Sequence, residues 1–126
     1  LVINDKGELA LQLSSKKKTF APNHWGTSAG GHVKSGESYE GAALRELQEE
    51  LGIVAKLSFL RKDFYTDGKN KKFLATFKTN HDGPFRINTD ELENARFFSL
   101  EELKEMIATE KFHPELLFLL KKEFNF

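Results

Sequence analysis

The segment GHVKSGESYEGAALRELQEELGI, residues 31–53, carries three glutamates within five positions: Glu46, Glu49 and Glu50. Residues three or four apart on an α-helix lie on the same side, so these carboxylates would project together. Like charges at that spacing destabilise a helix by roughly a few tenths of a kcal/mol. A solvated acidic face is the ordinary explanation for an adjacent glutamate pair. The pattern of residues that surrounds these glutamates instead favours a site that uses the charges.

The same segment contains the signals for a helix of defined length. Ser38 is a suitable N-cap and Gly52 a suitable C-terminal stop. Gly41 inside the helix costs about 1 kcal/mol relative to Ala, which predicts close packing against another backbone. An apolar stripe on a different side from the glutamates is formed by Leu44, Leu47 and Leu51. One face is therefore expected to anchor the helix while another presents carboxylates.

Clustered carboxylate oxygens are hard ligands, which Mg²⁺ and Mn²⁺ prefer. A divalent cation bound by them would also offset their mutual repulsion. The chain has no Cys, which excludes disulfides, a thiolate metal site and a cysteine nucleophile. The cluster therefore predicts a Mg²⁺ or Mn²⁺ site with oxygen ligands.

Length and composition favour one domain over residues 1–126. Twelve Phe and 39% hydrophobic residues can supply a core. Lys plus Arg and Asp plus Glu each number 19, so the basic excess typical of a binder of nucleic-acid polymers is missing. No signal peptide or membrane-spanning apolar run is visible, which predicts a cytoplasmic location. Because the chain starts at Leu1 rather than Met, we expect its N-terminal sequence to be incomplete.

The rest of the chain predicts strands and helices without regular alternation. Strands are expected at residues 8–13, 53–60, 72–78 and 96–98. Ser99 and Glu102 form a capping box that opens a helix to about residue 108. Pro114 begins another helix, whose buried face is Leu116, Leu117, Leu119 and Leu120. This pattern predicts an α+β fold in which helices pack on one mixed sheet.

The opening segment also resembles a family signature. Nine defined positions match that of the Nudix hydrolases: Gly31, Glu37, Arg45, Glu46, Leu47, Glu49, Glu50, Gly52 and Ile53. The resemblance implies a Nudix-like α/β/α sandwich with a mixed β-sheet. It also implies metal-dependent hydrolysis of a diphosphate linkage, in which water attacks phosphorus and the cation neutralises the diphosphate oxygens.

The resemblance implies roles for residues at matching positions. Glu46, Glu49 and Glu50 correspond to the metal-binding carboxylates, with Glu50 usually the most important ligand. A main-chain carbonyl near Gly30 or Gly31 adds another oxygen.

The resemblance also implies positioning and proton-transfer roles. Arg45 corresponds to the arginine that pairs with Glu37 and fixes the loop against the helix. The proton of the attacking water goes to a carboxylate, either in the signature helix, as Glu46 or Glu49, or outside it, where we choose Glu91. His32 would touch phosphate or make a structural hydrogen bond.

A weaker resemblance concerns the branch of the family. Residues 25–32, WGTSAGGH, resemble isopentenyl-diphosphate isomerases and the hydrolases close to them, and residues 83–103 resemble those hydrolases. Those isomerases carry a catalytic Cys where this chain has Gly30, and their signature core is often altered. A hydrolase is therefore favoured over an isomerase, and over a non-catalytic diphosphate-binding domain, which would more often show an eroded signature.

The resemblance implies a small organic diphosphate as substrate, and its identity is open among nucleoside triphosphates, nucleotide sugars, dinucleotides and prenyl diphosphates. A homodimer is compatible with the sequence, which does not fix an oligomeric state.

Overall fold

The computed structural model describes residues 1–18 and 21–126. In chain order its elements are β1 (Val2–Ile3), β2 (Leu9–Ser14), β3 (Trp25–Gly26), α1 (Tyr39–Leu51), β4 (Ser58–Thr66), β5 (Lys71–Asn80), β6 (Leu92–Phe98), α2 (Leu100–Met106) and α3 (Pro114–Phe124). The strands form a mixed sheet in the order β3-β2-β1-β5-β4, with β6 also paired to β2. β1 and β5 are parallel, whereas the other named pairs are antiparallel.

Helices pack on both faces of this sheet because successive residues of β2 point to opposite sides. Leu9 and Leu11 belong to a buried cluster that contains Leu103 of α2 and residues of α3. Ala10, between them, belongs to a second cluster that contains Leu47 of α1. The α/β/α layering and the mixed sheet predicted from the sequence are confirmed. Within the described ranges, no helix is long and apolar enough to cross a membrane.

Both predicted caps of α1 are present. The Ser38 hydroxyl accepts the Gly41 N–H at 3.0 Å, and Gly52 adopts a left-handed conformation with φ of 68°. A side chain at Gly52 would also crowd Arg86, because an added Cβ would lie 2.8 Å from the Arg86 Cβ. Within residues 1–18 and 21–126, the backbone neighbour expected for Gly41 is not found. An added Cβ there would meet Ser38 Oγ at 3.1 Å, so Gly41 leaves room for the cap.

The predicted leucine stripe of α1 is only partly correct. Leu47 and Leu51 are buried, but Leu44 is 37% exposed. The buried side also includes Ala42 and Glu50. At about 100° per residue, these two residues shift the buried arc so that Leu44 lies at its edge.

Several predicted boundaries of the other elements differ from those observed. The strand predicted at 53–60 begins only at Ser58 and continues to Thr66, because its extent follows its pairing with β5. The strand predicted at 96–98 begins at Leu92, because β2 pairs with all of β6. The capping box of α2 is confirmed, although the helix ends at Met106 rather than near residue 108.

The start of α3 at Pro114 is confirmed. Three of its four predicted core leucines are buried, and Leu117 is partly buried against the same cluster.

Candidate active site

The Arg45 side chain joins the loop before α1 to the helix itself. Its Nε donates to Glu37 Oε2 at 2.7 Å and its Nη2 donates to Glu37 Oε1 at 3.0 Å. Nη2 also donates to the His32 carbonyl at 3.1 Å. This two-point guanidinium contact, together with the Lys34 N–H, lowers the pKa of Glu37 to about 2. The predicted pairing of Arg45 with Glu37 is present, and His32 contributes its carbonyl.

The same guanidinium holds two of the three helix glutamates. Arg45 Nη1 donates to Glu46 Oε1 at 2.9 Å and to Glu49 Oε2 at 3.2 Å. The Glu49 side chain is 53% exposed, whereas that of Glu46 is 15% exposed. Glu46 therefore points into the site, while Glu49 lies at its solvent-facing rim.

Glu50 is the buried carboxyl of the group, with 5% of its surface exposed. It accepts hydrogen bonds from the Gln12 side-chain amide and from the Gly30 backbone N–H, and it contacts the Glu46 carboxylate. Burial and the contact with Glu46 raise the pKa of Glu50 to about 9, against the lowering effect of the two amide donors. Without a cation, the Glu46–Glu50 pair therefore shares a proton near neutral pH.

Gly31 approaches Glu46 so closely that no side chain fits between them. A Cβ added at Gly31 would lie 2.3 Å from Glu46 Oε1 and 2.4 Å from Glu46 Cδ. At Gly30 an added Cβ would lie 3.5 Å from Thr27 Oγ1, which is an ordinary contact. A side chain at Gly31 would therefore have to displace the Glu46 carboxylate, whereas one at Gly30 would fit without a shift.

We expect Gly31→Ala to reduce hydrolysis by about 100-fold, because the added methyl group must displace the Glu46 carboxylate by an ångström or more. Since that carboxylate is the end of a flexible side chain, thermal stability should change little. Gly30→Ala is the matched comparison and should retain most of the activity. Equal activities of the two variants, measured by product release, would contradict this account of Gly31.

Two residues of this site, Gln12 and Ser28, are not predicted from the sequence. Gln12 Nε2 donates both to Glu50 and to the Ser28 carbonyl, the latter at 3.1 Å. The sequence signal for Gln12 is its position in β2 two residues after Ala10, which places it on the sheet face opposite Leu9 and Leu11. Nothing local in the sequence connects Gln12 with a glutamate 38 residues away.

Glu91 is not among the side chains that the structure brings together around Arg45. Its carboxylate lies 3.9 Å from Lys18 Nζ and its carbonyl accepts the Ser15 N–H at 2.9 Å. Its side chain is 51% exposed.

The predicted three-carboxylate cluster is only partly assembled. In the part of the chain that the structure describes, no three His, Cys, Asp or Glu side chains converge as a metal site. The reason is that Arg45 holds Glu49 at the rim while Glu50 is directed inward to Gln12. The Glu46–Glu50 pair nevertheless fits a divalent cation, because two carboxylates in contact, one of them buried, require a proton or a cation between them.

Comparison with known proteins identifies the family. The model of the NUDIX domain matches residues 1–120. PA4841 of Pseudomonas aeruginosa, described as an uncharacterized Nudix hydrolase, is 35% identical over 122 residues, which is 96% of this chain and 72% of that protein. The chain belongs to the Nudix hydrolase family. It is accordingly an enzyme of the pyrophosphohydrolase class.

Solved structures show the same fold. DR0079 from Deinococcus radiodurans superposes with a TM-score of 0.85 at 26% identity, covering 96% of this chain and 77% of that one. The NUDIX domain of NrtR from Shewanella oneidensis, determined with ADP ribose, superposes with a TM-score of 0.76 at 16% identity, covering 98% and 82% of the two chains.

Proposed function

We propose that the protein hydrolyses the diphosphate linkage of a nucleoside diphosphate derivative or a similar organic diphosphate, using Mg²⁺ or Mn²⁺. The observation that carries this proposal is the buried Glu50 carboxyl in contact with Glu46, beside a loop that Arg45 fastens to α1. Glu46 and Glu50 would hold the cation, and Glu49, at the rim, would be left free for proton transfer. A bound cation would neutralise the diphosphate oxygens and lower the pKa of the attacking water.

The chain's own groups position the reactants and transfer protons. Arg45 and Glu37 fix the loop that contains Gly30 and Gly31, whose main-chain atoms lie beside the carboxylates. We assign the proton of the attacking water to Glu49, because its carboxylate is accessible at the rim. The water oxygen bonds to phosphorus, the bridging P–O bond breaks, and the leaving oxygen takes up a proton.

Glu91 is the alternative base predicted from the sequence. Glu49→Gln and Glu91→Gln separate the two assignments, because only loss of the true base should flatten the acid limb of the pH–rate profile.

The proposed substrate class is supported by the chemistry of a carboxylate-bound cation and by one protein of similar fold. A carboxylate-bound divalent cation suits the adjacent negative charges of a diphosphate. The NrtR domain from Shewanella oneidensis was determined with ADP ribose, a nucleoside diphosphate derivative. This supports the same class for our chain, and ADP ribose is the first compound to test.

The test is a panel of organic diphosphates incubated with Mg²⁺ or Mn²⁺ in ¹⁸O-labelled water. Hydrolysis predicts that each cleavage places one ¹⁸O atom on phosphorus in one of the two products and none in the other. The panel includes ADP ribose, a nucleoside triphosphate, a dinucleoside polyphosphate and isopentenyl diphosphate. Dimethylallyl diphosphate as a product would instead favour the isomerase, and saturable binding without turnover would favour a binding domain.

A further inference from the structure

Gln12 reaches from the middle of the sheet into the carboxylate cluster. Its Nε2 donates to Glu50 Oε1 and also to the Ser28 carbonyl at 3.1 Å. Its backbone is held from two sides, since β2 pairs Gln12 with Gly26 of β3 and with Ala95 of β6. The amide therefore projects from a fixed strand rather than from a loop.

The other acceptor of Gln12 is equally fixed. Ser28 is 1% exposed, and its hydroxyl accepts the Val2 N–H at 2.8 Å while it donates to the Ala10 carbonyl at 2.6 Å. Ser28 thus ties the segment before Gly30 to two neighbouring strands. Because Ser28 is fixed, the hydrogen bond from Gln12 Nε2 to its carbonyl orients the amino group, whose other hydrogen bond is donated to Glu50.

We propose that Gln12 is a positioning residue that holds Glu50 in the orientation that binds the divalent cation. This inference rests on the proposed function. Gln12 occupies one carboxylate oxygen of Glu50, which keeps the carboxyl group from rotating away from Glu46. Partners that orient a metal ligand in this way commonly change metal affinity by about 10- to 100-fold when they are removed. The amide is neutral, so it orients Glu50 without competing with the cation for charge.

The decisive variant is Gln12→Met, which keeps the length of the side chain and removes the donors. Its matched control is Gln48→Met, at an exposed position of α1. Mn²⁺ alone is titrated by calorimetry, and unfolding is followed in chelator. We expect Gln12→Met to bind Mn²⁺ about 10- to 100-fold more weakly than Gln48→Met, and to lower kcat more than it raises KM.

The outcomes separate this inference from the proposed function. If Mn²⁺ binds the wild type but binds Gln12→Met equally well, the positioning role is wrong and the metal site stands. If the wild type itself binds no Mn²⁺, the metal-dependent function fails and this inference fails with it. If Gln12→Met does not fold, the positioning role of Gln12 is tested on the wild type by NMR of its side-chain amide groups. Mg²⁺ should then shift the Gln12 NH₂ signals more than those of Gln48, and unshifted Gln12 signals would overturn the inference.

Discussion

Glu50→Gln is expected to lower the rate of hydrolysis by about 10²- to 10³-fold or more while the protein remains folded. The substitution keeps the volume of a side chain that is 5% exposed and removes the charge that would bind the cation. The Gln12 side-chain amide, which donates to Glu50 Oε1, can still donate to the side-chain oxygen of the glutamine. Turnover with Mg²⁺ and thermal unfolding are measured on the same preparation.

The pH dependence of stability provides a second readout for this variant. In chelator, the pKa of Glu50 is about 9 in the folded protein against 4.5 for an ordinary glutamate. The folded state then holds the proton more tightly than the unfolded state, so this stabilisation is complete below pH 4.5 and is lost as the pH rises through 9. Gln has no such proton to lose. Glu50→Gln should therefore become increasingly more stable than the wild type between those two values.

Glu40→Gln is the control, because Glu40 is an exposed glutamate in the first turn of the same helix. It should leave both turnover and the pH profile unchanged. A fully active Glu50→Gln protein would exclude the ligand role. Activity lost only together with the folded state would make the acidic cluster structural.

Elements with local signals were predicted accurately. The N-cap at Ser38 and the left-handed Gly52 defined α1 because both act within one turn of the helix. The predicted bounds of β4 were wrong because the limits of this strand depend on its pairing with β5, which follows it in the chain. The exposure of Leu44 also depends on how α1 packs against residues that are distant in the sequence. Helical periodicity alone does not describe this packing.

For the candidate site, spacing identified residues but not their side-chain orientations. The signature placed Glu37, Arg45 and the three glutamates near one another. The contact of Arg45 with Glu49 follows from the i,i+4 spacing on α1. The two hydrogen bonds to Glu37 could not be predicted, because they depend on how the loop before α1 folds back on the helix. The role of Gln12 could not be predicted either, because only the folded sheet brings its side chain to Glu50.

Arg45→Ala is expected to reduce both activity and stability, in contrast to Glu50→Gln. Loss of the guanidinium leaves Glu37 without its two-point partner and frees the loop at the His32 carbonyl. A shift of about 1 Å in the loop is sufficient for a loss of about 100-fold in turnover. Arg45→Lys keeps the charge but not the planar fork, so it should recover part of the stability and little of the activity.

The acid limb of the stability curve tests the same contact. Arg45 lowers the pKa of Glu37 to about 2 from 4.5, so the stabilisation from this pair is complete above pH 4.5 and is lost as the pH falls toward 2. The difference in melting temperature between wild type and Arg45→Ala should therefore narrow over that interval. Glu37→Ala and the Glu37→Ala/Arg45→Ala double variant complete a thermodynamic cycle. If the double variant loses as much stability as the two single variants combined, the two side chains act independently, and the loop is fixed to α1 by other contacts.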